Sequence, residues 1–210
     1  MVNHCCRYTT MLYSTQPTQS DDGTYFVKAT TDEKRKKFVQ LNQATVVDVA
    51  DVADVSLELT SSGVDKILDV DAENIQAAVD NSEAWFGKQM TDAQIRRAYQ
   101  PSAPSDVLGC DVIPATKIFN ADLETTGIDA LTEGRRCKVI VEFSGLWFAK
   151  KTFGPIWNLV QVKLFADPIV DDYPEDYAFE DTDEDEDVTQ EDTTTDEPVE
   201  GEAPVEEQSP

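Results

Sequence analysis

The chain has 210 residues, room for one domain with extensions or two small ones, and a formal net charge of −25. It has no run of about 18 apolar residues to span a membrane. Its N-terminus, MVNHCCRYTT, has no apolar signal stretch. Cys5, Cys6, Cys110 and Cys137 lack the paired spacings of a zinc site. These features argue against a membrane, secreted or metal-dependent protein and predict a reducing cytoplasmic or nuclear compartment.

The charge is unevenly spread. Residues 167–210 hold 20 of the 42 Asp and Glu and no Lys or Arg, so the body carries 17 Lys and Arg against 22 acids, a balance of −5. The tail has too little apolar surface to offset the entropy of ordering, which predicts a disordered acidic C-terminal tail. Residues 1–20, rich in Thr, Ser and Gln, read as a flexible arm, with Met11 a second candidate start.

Along the body, Thr24–Thr30 reads as a strand, and the basic run Lys34–Lys37 as a solvated turn. Phe38–Leu59 supplies strand-like pieces with Val46, Val49, Val52 and Val55 as candidate core. Asp69 to Phe86 has helical spacing, with Ile75, Val79 and Phe86 near one face and Gly87 placed to end it. Thr91-x-x-Gln94 is a capping-box pattern for a second short helix, which Pro101 stops. The stretch 101–116, with three prolines, reads as loop.

Two alternating runs, Lys138–Phe143 and Ile156–Phe165, flank a turn at Lys150–Pro155 and predict a long β-hairpin. In the second run Ile156, Val160, Val162 and Leu164 fall on one face, and Trp157, Leu159, Gln161 and Lys163 on the other.

With His4 the sole histidine and no H-E-x-x-H, G-x-S-x-G or P-loop pattern, the chain offers no catalytic constellation. It is expected to be non-catalytic and to need no cofactor. The hairpin offers something else. Arg135, Arg136, Lys138, Lys150, Lys151 and Lys163 stand against Glu142 alone, interleaved with Trp147, Phe148, Phe153 and Trp157. Cations that track phosphates beside aromatic faces on which bases stack are what single-strand binding requires. The competing reading buries the aromatics as core and leaves the lysines merely solvated. Because Trp147 and Phe148 alternate, one is expected to point in and the other out.

Two segments, SEAWFGKQMTDAQIRRAYQPS (82–102) and GRRCKVIVEFSGLWFAKKTFGPIWNLVQVKL (134–164), together carry a resemblance. A Trp-Phe-Gly helix leads to Tyr-x-Pro-Ser, then to a G-x-W-F…F-G-x-x-W…Q-V hairpin. This order resembles a single-stranded-DNA-binding protein family of nucleocytoplasmic large DNA viruses, itself similar to such proteins of short-tailed coliphages. The resemblance implies a mostly β, α+β fold: an OB-like five-stranded barrel over 21–166, with a helical insert at about 72–100. It also implies single-stranded DNA binding and protection during viral DNA replication. The acidic tail would then regulate binding and recruit replication proteins, and a second copy of the chain is a candidate partner. The chain ends Glu206-Glu207-Gln208-Ser209-Pro210, without the terminal aromatic that coliphage relatives use for docking. The alternative is a virion or assembly protein that binds no DNA and whose tail binds basic partners.

Overall fold

The computed structural model describes residues 11–20, 23–50 and 53–166. The predicted acidic tail, residues 1–10 of the arm, and Val52 lie outside them.

The strands are β1 (Met11–Tyr13), β2 (Thr18–Gln19), β3 (Tyr25–Thr31), β4 (Lys37–Ala50), β5 (Asp54–Leu59), β6 (Val107–Phe119), β7 (Thr125–Thr126), β8 (Arg136–Phe148) and β9 (Phe153–Leu164). Five of them close a ring. β4 pairs antiparallel with β5, β5 with β6, β8 with β9 and β4 with β8, while β6 and β9 close the ring in parallel. The fold is an OB-like five-stranded barrel, α+β and mostly β. β3 extends it by pairing with the upper end of β8, and β1 and β2 both pair with β3. Part of the expected arm is therefore sheet, and Met11 is buried.

Strand alternation, interrupted on β4 by a register shift between Leu41 and Ala44, fills the barrel: Leu41, Ala44 and Val46 from β4, Val55 and Leu57 from β5, and Val139, Val141 and Phe143 from β8 are all buried. Val49 is only half-buried. Two bulges in the hairpin change which residues face in. β9 has an extra residue at Val160 and β8 one at Ser144. An extra residue reverses the parity beyond it. Between Ile156 and Leu164 the buried residues of β9 are thus Trp157, Leu159, Val162 and Leu164, drawn from both faces expected of a regular strand.

The stretch 101–116 is only partly loop. β6 begins at Val107, and Pro114, which has no N–H to give, sits where its ladder with β9 is interrupted between Val112 and Lys117.

The helical insert lies between β5 and β6 as α1 (Ser61–Asp80), α2 (Ser82–Phe86) and α3 (Asp92–Ala98). It starts earlier than the predicted residue 72, because the polar Ser-Ser-Gly opening hides a buried Gly63 facing Leu41 and Leu59. The buried stripe of α1 is Ile67, Val70, Asp71, Asn74 and Ala78, a helical spacing with two polar members. Gly87 ends α2 in the left-handed conformation. Thr91 and Gln94 form both halves of the expected capping box.

The polar members of α1 are fully used. Tyr99 Oη donates to Asp71 Oδ1 at 2.6 Å, Ser102 N–H to Asp71 Oδ2 at 2.9 Å, and the Ser102 hydroxyl also donates to Asp71. Trp157 Nε1 donates to Ser102 Oγ at 2.9 Å. Tyr13 Oη donates to Asn74 Oδ1 at 2.7 Å, and Asn74 Nδ2 to Tyr99 Oη at 3.0 Å. One buried network thus joins β1, α1, the Tyr-x-Pro-Ser segment and β9.

Candidate nucleic-acid interface

β8 and β9 turn tightly, with Ala149 N–H donating to the Thr152 carbonyl at 2.8 Å. The turn lifts Lys150 and Lys151 into solvent. Beneath it, α2 supplies Trp85 and Phe86 to an aromatic cluster. Phe86 meets Phe148 at 5.5 Å and Phe153 at 5.3 Å, Trp85 meets Phe148 at 5.9 Å, and Phe148 stacks on Phe153. A groove of about 1330 Å³ opens over this cluster. Tyr25, 48% exposed, and Met90 stand in its wall, with Lys88, Lys150 and Lys151 around it. None of these three lysines forms an ion pair among the described residues.

The ten residues anticipated from sequence separate into three groups. At the tip, Trp147 is half-exposed beside Lys150 and Lys151. At the hairpin base, Arg136 is exposed, Lys138 lies directly opposite Lys163 on the outer face, and Arg135 is half-buried with its carbonyl accepting from Val46 N–H. Phe148, Phe153 and Trp157 form the third group and are core, at 9%, 0% and 3% exposure. They correct the expectation that bases stack on them: their faces are already taken by Trp85, Phe86, Tyr99 and Phe143. Base and tip are far apart, since twelve strand residues span roughly 35–40 Å.

Trp147 owes its position to a glycine. A Cβ on Gly154, its cross-strand partner, would come within 3.1 Å of the indole, so the ring lies against the bare backbone and leaves its other side outward. Phe26, across from Trp147 on β3, lies in the same way over Gly145. Sequence reasoning missed Phe26, Lys28, Phe38, Tyr25 and Lys88. The first two were legible in principle, since Phe26 and Lys28 alternate with the buried Val27 and Ala29.

The opposite outer face has the opposite sign. With Val55 and Leu57 pointing in, β5 turns Asp54 and Glu58 outward, beside Asp48 of β4 and Asp111 of β6. Asp54 and Asp111 are direct cross-strand partners. Burial first, and then the facing Asp54, raise the Asp111 carboxyl above the usual range. The thiols of Cys110 and Cys137 are free and buried, and burial pushes Cys137 up to about 11. Neither is an activated nucleophile.

Among solved structures, the chain is similar to the single-stranded DNA-binding protein from bacteriophage Enc34. The C-terminally truncated form aligns at 11% identity and TM-score 0.44, covering 72% of this chain and 95% of that one. The form in complex with ssDNA aligns at 11% and 0.41, covering 73% and 96%. The form described without truncation aligns at 9% and 0.43, covering 72% and 89%. No curated protein matches the sequence. Residues 42–181, from the middle of β4 past the end of the barrel, match the family of unknown function DUF5871, and the chain belongs to that family.

Proposed function

We propose that the protein binds single-stranded DNA without catalysis, at the tip of the β8–β9 hairpin. The observation that carries this reading is the tip groove, where exposed aromatic surface lies beside three lysines that have no carboxylate partner among the described residues. Each lysine that meets a phosphate releases counterions, and each exposed ring offers a base about 1–3 kcal/mol of stacking. A duplex keeps its bases paired and stacked on each other, so it gains only the charge contribution.

The resemblance to proteins of nucleocytoplasmic large DNA viruses supports a finer version. The protein protects single strands during viral DNA replication, in the cytoplasm or nucleus of the infected cell. Residues 167–210, a tethered polyanion, compete with DNA for the same lysines at an effective concentration on the order of mM. DNA displaces the tail, which then recruits replication proteins.

Titration with oligo-dT, followed by tryptophan fluorescence, tests the reading. Trp85 and Trp157 are buried, so quenching reports chiefly on Trp147. The expected result is tight binding of oligo-dT, much weaker binding of duplex, and tighter binding at low salt once residues 167–210 are deleted. Equal affinity for duplex and single strand would overturn stacking. A truncated chain that binds no more tightly would overturn the tail mechanism. Failure to bind oligo-dT, with capture of basic polypeptides through the tail, would establish the virion or assembly alternative.

A further inference from the structure

We infer that a bound single strand continues from the tip down the outer face of the β8–β9 hairpin, with a base on Phe38 and phosphates on Lys138, Lys163 and Arg136. The inference rests on the single-strand reading above and assigns the strand its course. Barrels of this class commonly hold oligonucleotides across their second and third strands. Here those strands are β5 and β6, whose outer face carries Asp54, Glu58 and Asp111 against Lys117 alone. A polyanion is repelled there.

The outer face of the hairpin and its neighbours is built differently. Reading upward from the base, Lys138 faces Lys163, Ile140 faces Gln161, Glu142 faces Asn158, and Trp147 faces Gly154. β4 runs alongside the lower half, bringing Phe38 next to Glu142, and β3 runs alongside the upper half, bringing Phe26 next to Trp147. Phe38 is 51% exposed, an aromatic ring in solvent between the basic pair below and the two glycine-backed rings above. Glu142 is the one carboxylate on these two strands, and Lys36 Nζ neutralises it at 3.0 Å. Lys66 adds a cation at the edge of β4, donating to the Gln40 carbonyl at 2.8 Å. Charge and aromatic surface thus alternate along one face for roughly 35–40 Å, whereas the neighbouring face is acidic. This complementarity selects a single-stranded nucleic acid as the occupant.

The test compares two lengths of oligo-dT on the full chain, about 16 residues to fill the course and about 4 to cover the tip alone. Phe38→Ala should weaken the long oligonucleotide by about five-fold or more and leave the short one unchanged. Lys138→Gln with Lys163→Gln should make the log–log salt slope of the long one shallower by about 1.4. Phe38→Trp, which keeps a ring in place, should retain affinity and add fluorescence quenched by the long oligonucleotide only. If wild type and tip variants behave as expected while these three changes alter nothing at either length, this course is wrong and the tip site stands. If wild type binds no oligo-dT, both fall. If Phe38→Ala changes the oligomeric state with affinity per chain unchanged, the face belongs to a second copy of the chain, and the inference is overturned.

Discussion

The hairpin face and the β4–β5–β6 face belong to one barrel, share one core and follow the same alternation, yet they present opposite chemistry to solvent. On β5 the outward residues are Asp54, Ser56 and Glu58; on β8 they include Arg136, Lys138 and, past the bulge, Trp147. The inward residues hardly differ, being Val55, Leu57 and Leu59 in one strand and Val139, Val141 and Phe143 in the other. The core therefore fixes the barrel while leaving every second position free to present different chemistry to solvent. A net charge of −25 conceals this division.

The largest effect should come from crossing between the two sides of the β8–β9 hairpin. Phe153→Ala, in the core, should cost about 3–5 kcal/mol of stability in chemical denaturation. Trp147→Ala, on the outward side, should cost much less stability but about 1–3 kcal/mol of oligo-dT binding. If the two variants show the same profile, the inward and outward assignment fails.

Charge should then separate the faces more cleanly than packing does. Lys150→Glu with Lys151→Glu should lower oligo-dT affinity and reduce its salt slope by about 1.4, two phosphates' worth. Asp54→Asn with Glu58→Gln should leave the slope as it was. A slope that responds to the acidic pair would place DNA on the wrong face.

The smallest effect is a pH dependence rooted in raised carboxyls. Burial raises Asp71, partly opposed by hydrogen bonds from Ser102 and Tyr99. It also raises Glu73 and, with the facing Asp54, Asp111. Each binds its proton more tightly folded than unfolded. The stability it contributes is full at low pH and is lost as pH rises through the folded value. These groups should therefore make the protein more stable as pH falls from neutral toward the raised carboxyl range. Asp111→Asn should flatten that dependence, as read by melting temperature across pH. An unchanged profile in that variant would remove the acidic pair from the account.

Much of this was legible in the sequence where local chemistry decides. The hairpin, the capping box at Thr91 and Gln94, and the glycine stop at Gly87 all needed only neighbouring residues. The face assignment on β9 was not legible, because a single extra residue at Val160 reverses everything beyond it and leaves no compositional mark. At the candidate site, the exposure of Lys150 and Lys151 follows from the turn they occupy, whereas the burial of Phe148, Phe153 and Trp157 does not follow from local sequence. Phe153 and Trp157 look like stacking residues until α2 and Ser102 are seen to cover them. Phe38 and Phe26 were overlooked because they sit on strands distant in sequence, and only pairing with β8 brings them alongside. Asp71 looked like one acid among 42, and its role appears only when Tyr99 and Ser102 close on it.

The hairpin also bears on the order of folding. Its two strands are joined by a short turn, so their pairing closes a small loop, whereas β4 must find β8 from Lys37 to Phe143 across the whole helical insert. Loop-closure entropy favours the local pairing first. The hairpin then serves as the template on which β4 from one edge and β6 from the other complete the ring. Conservative truncations at Val139 and Val141 should slow refolding, while Ile67→Val in α1 should chiefly speed unfolding. The strands that present the proposed DNA face would thus be the first to form.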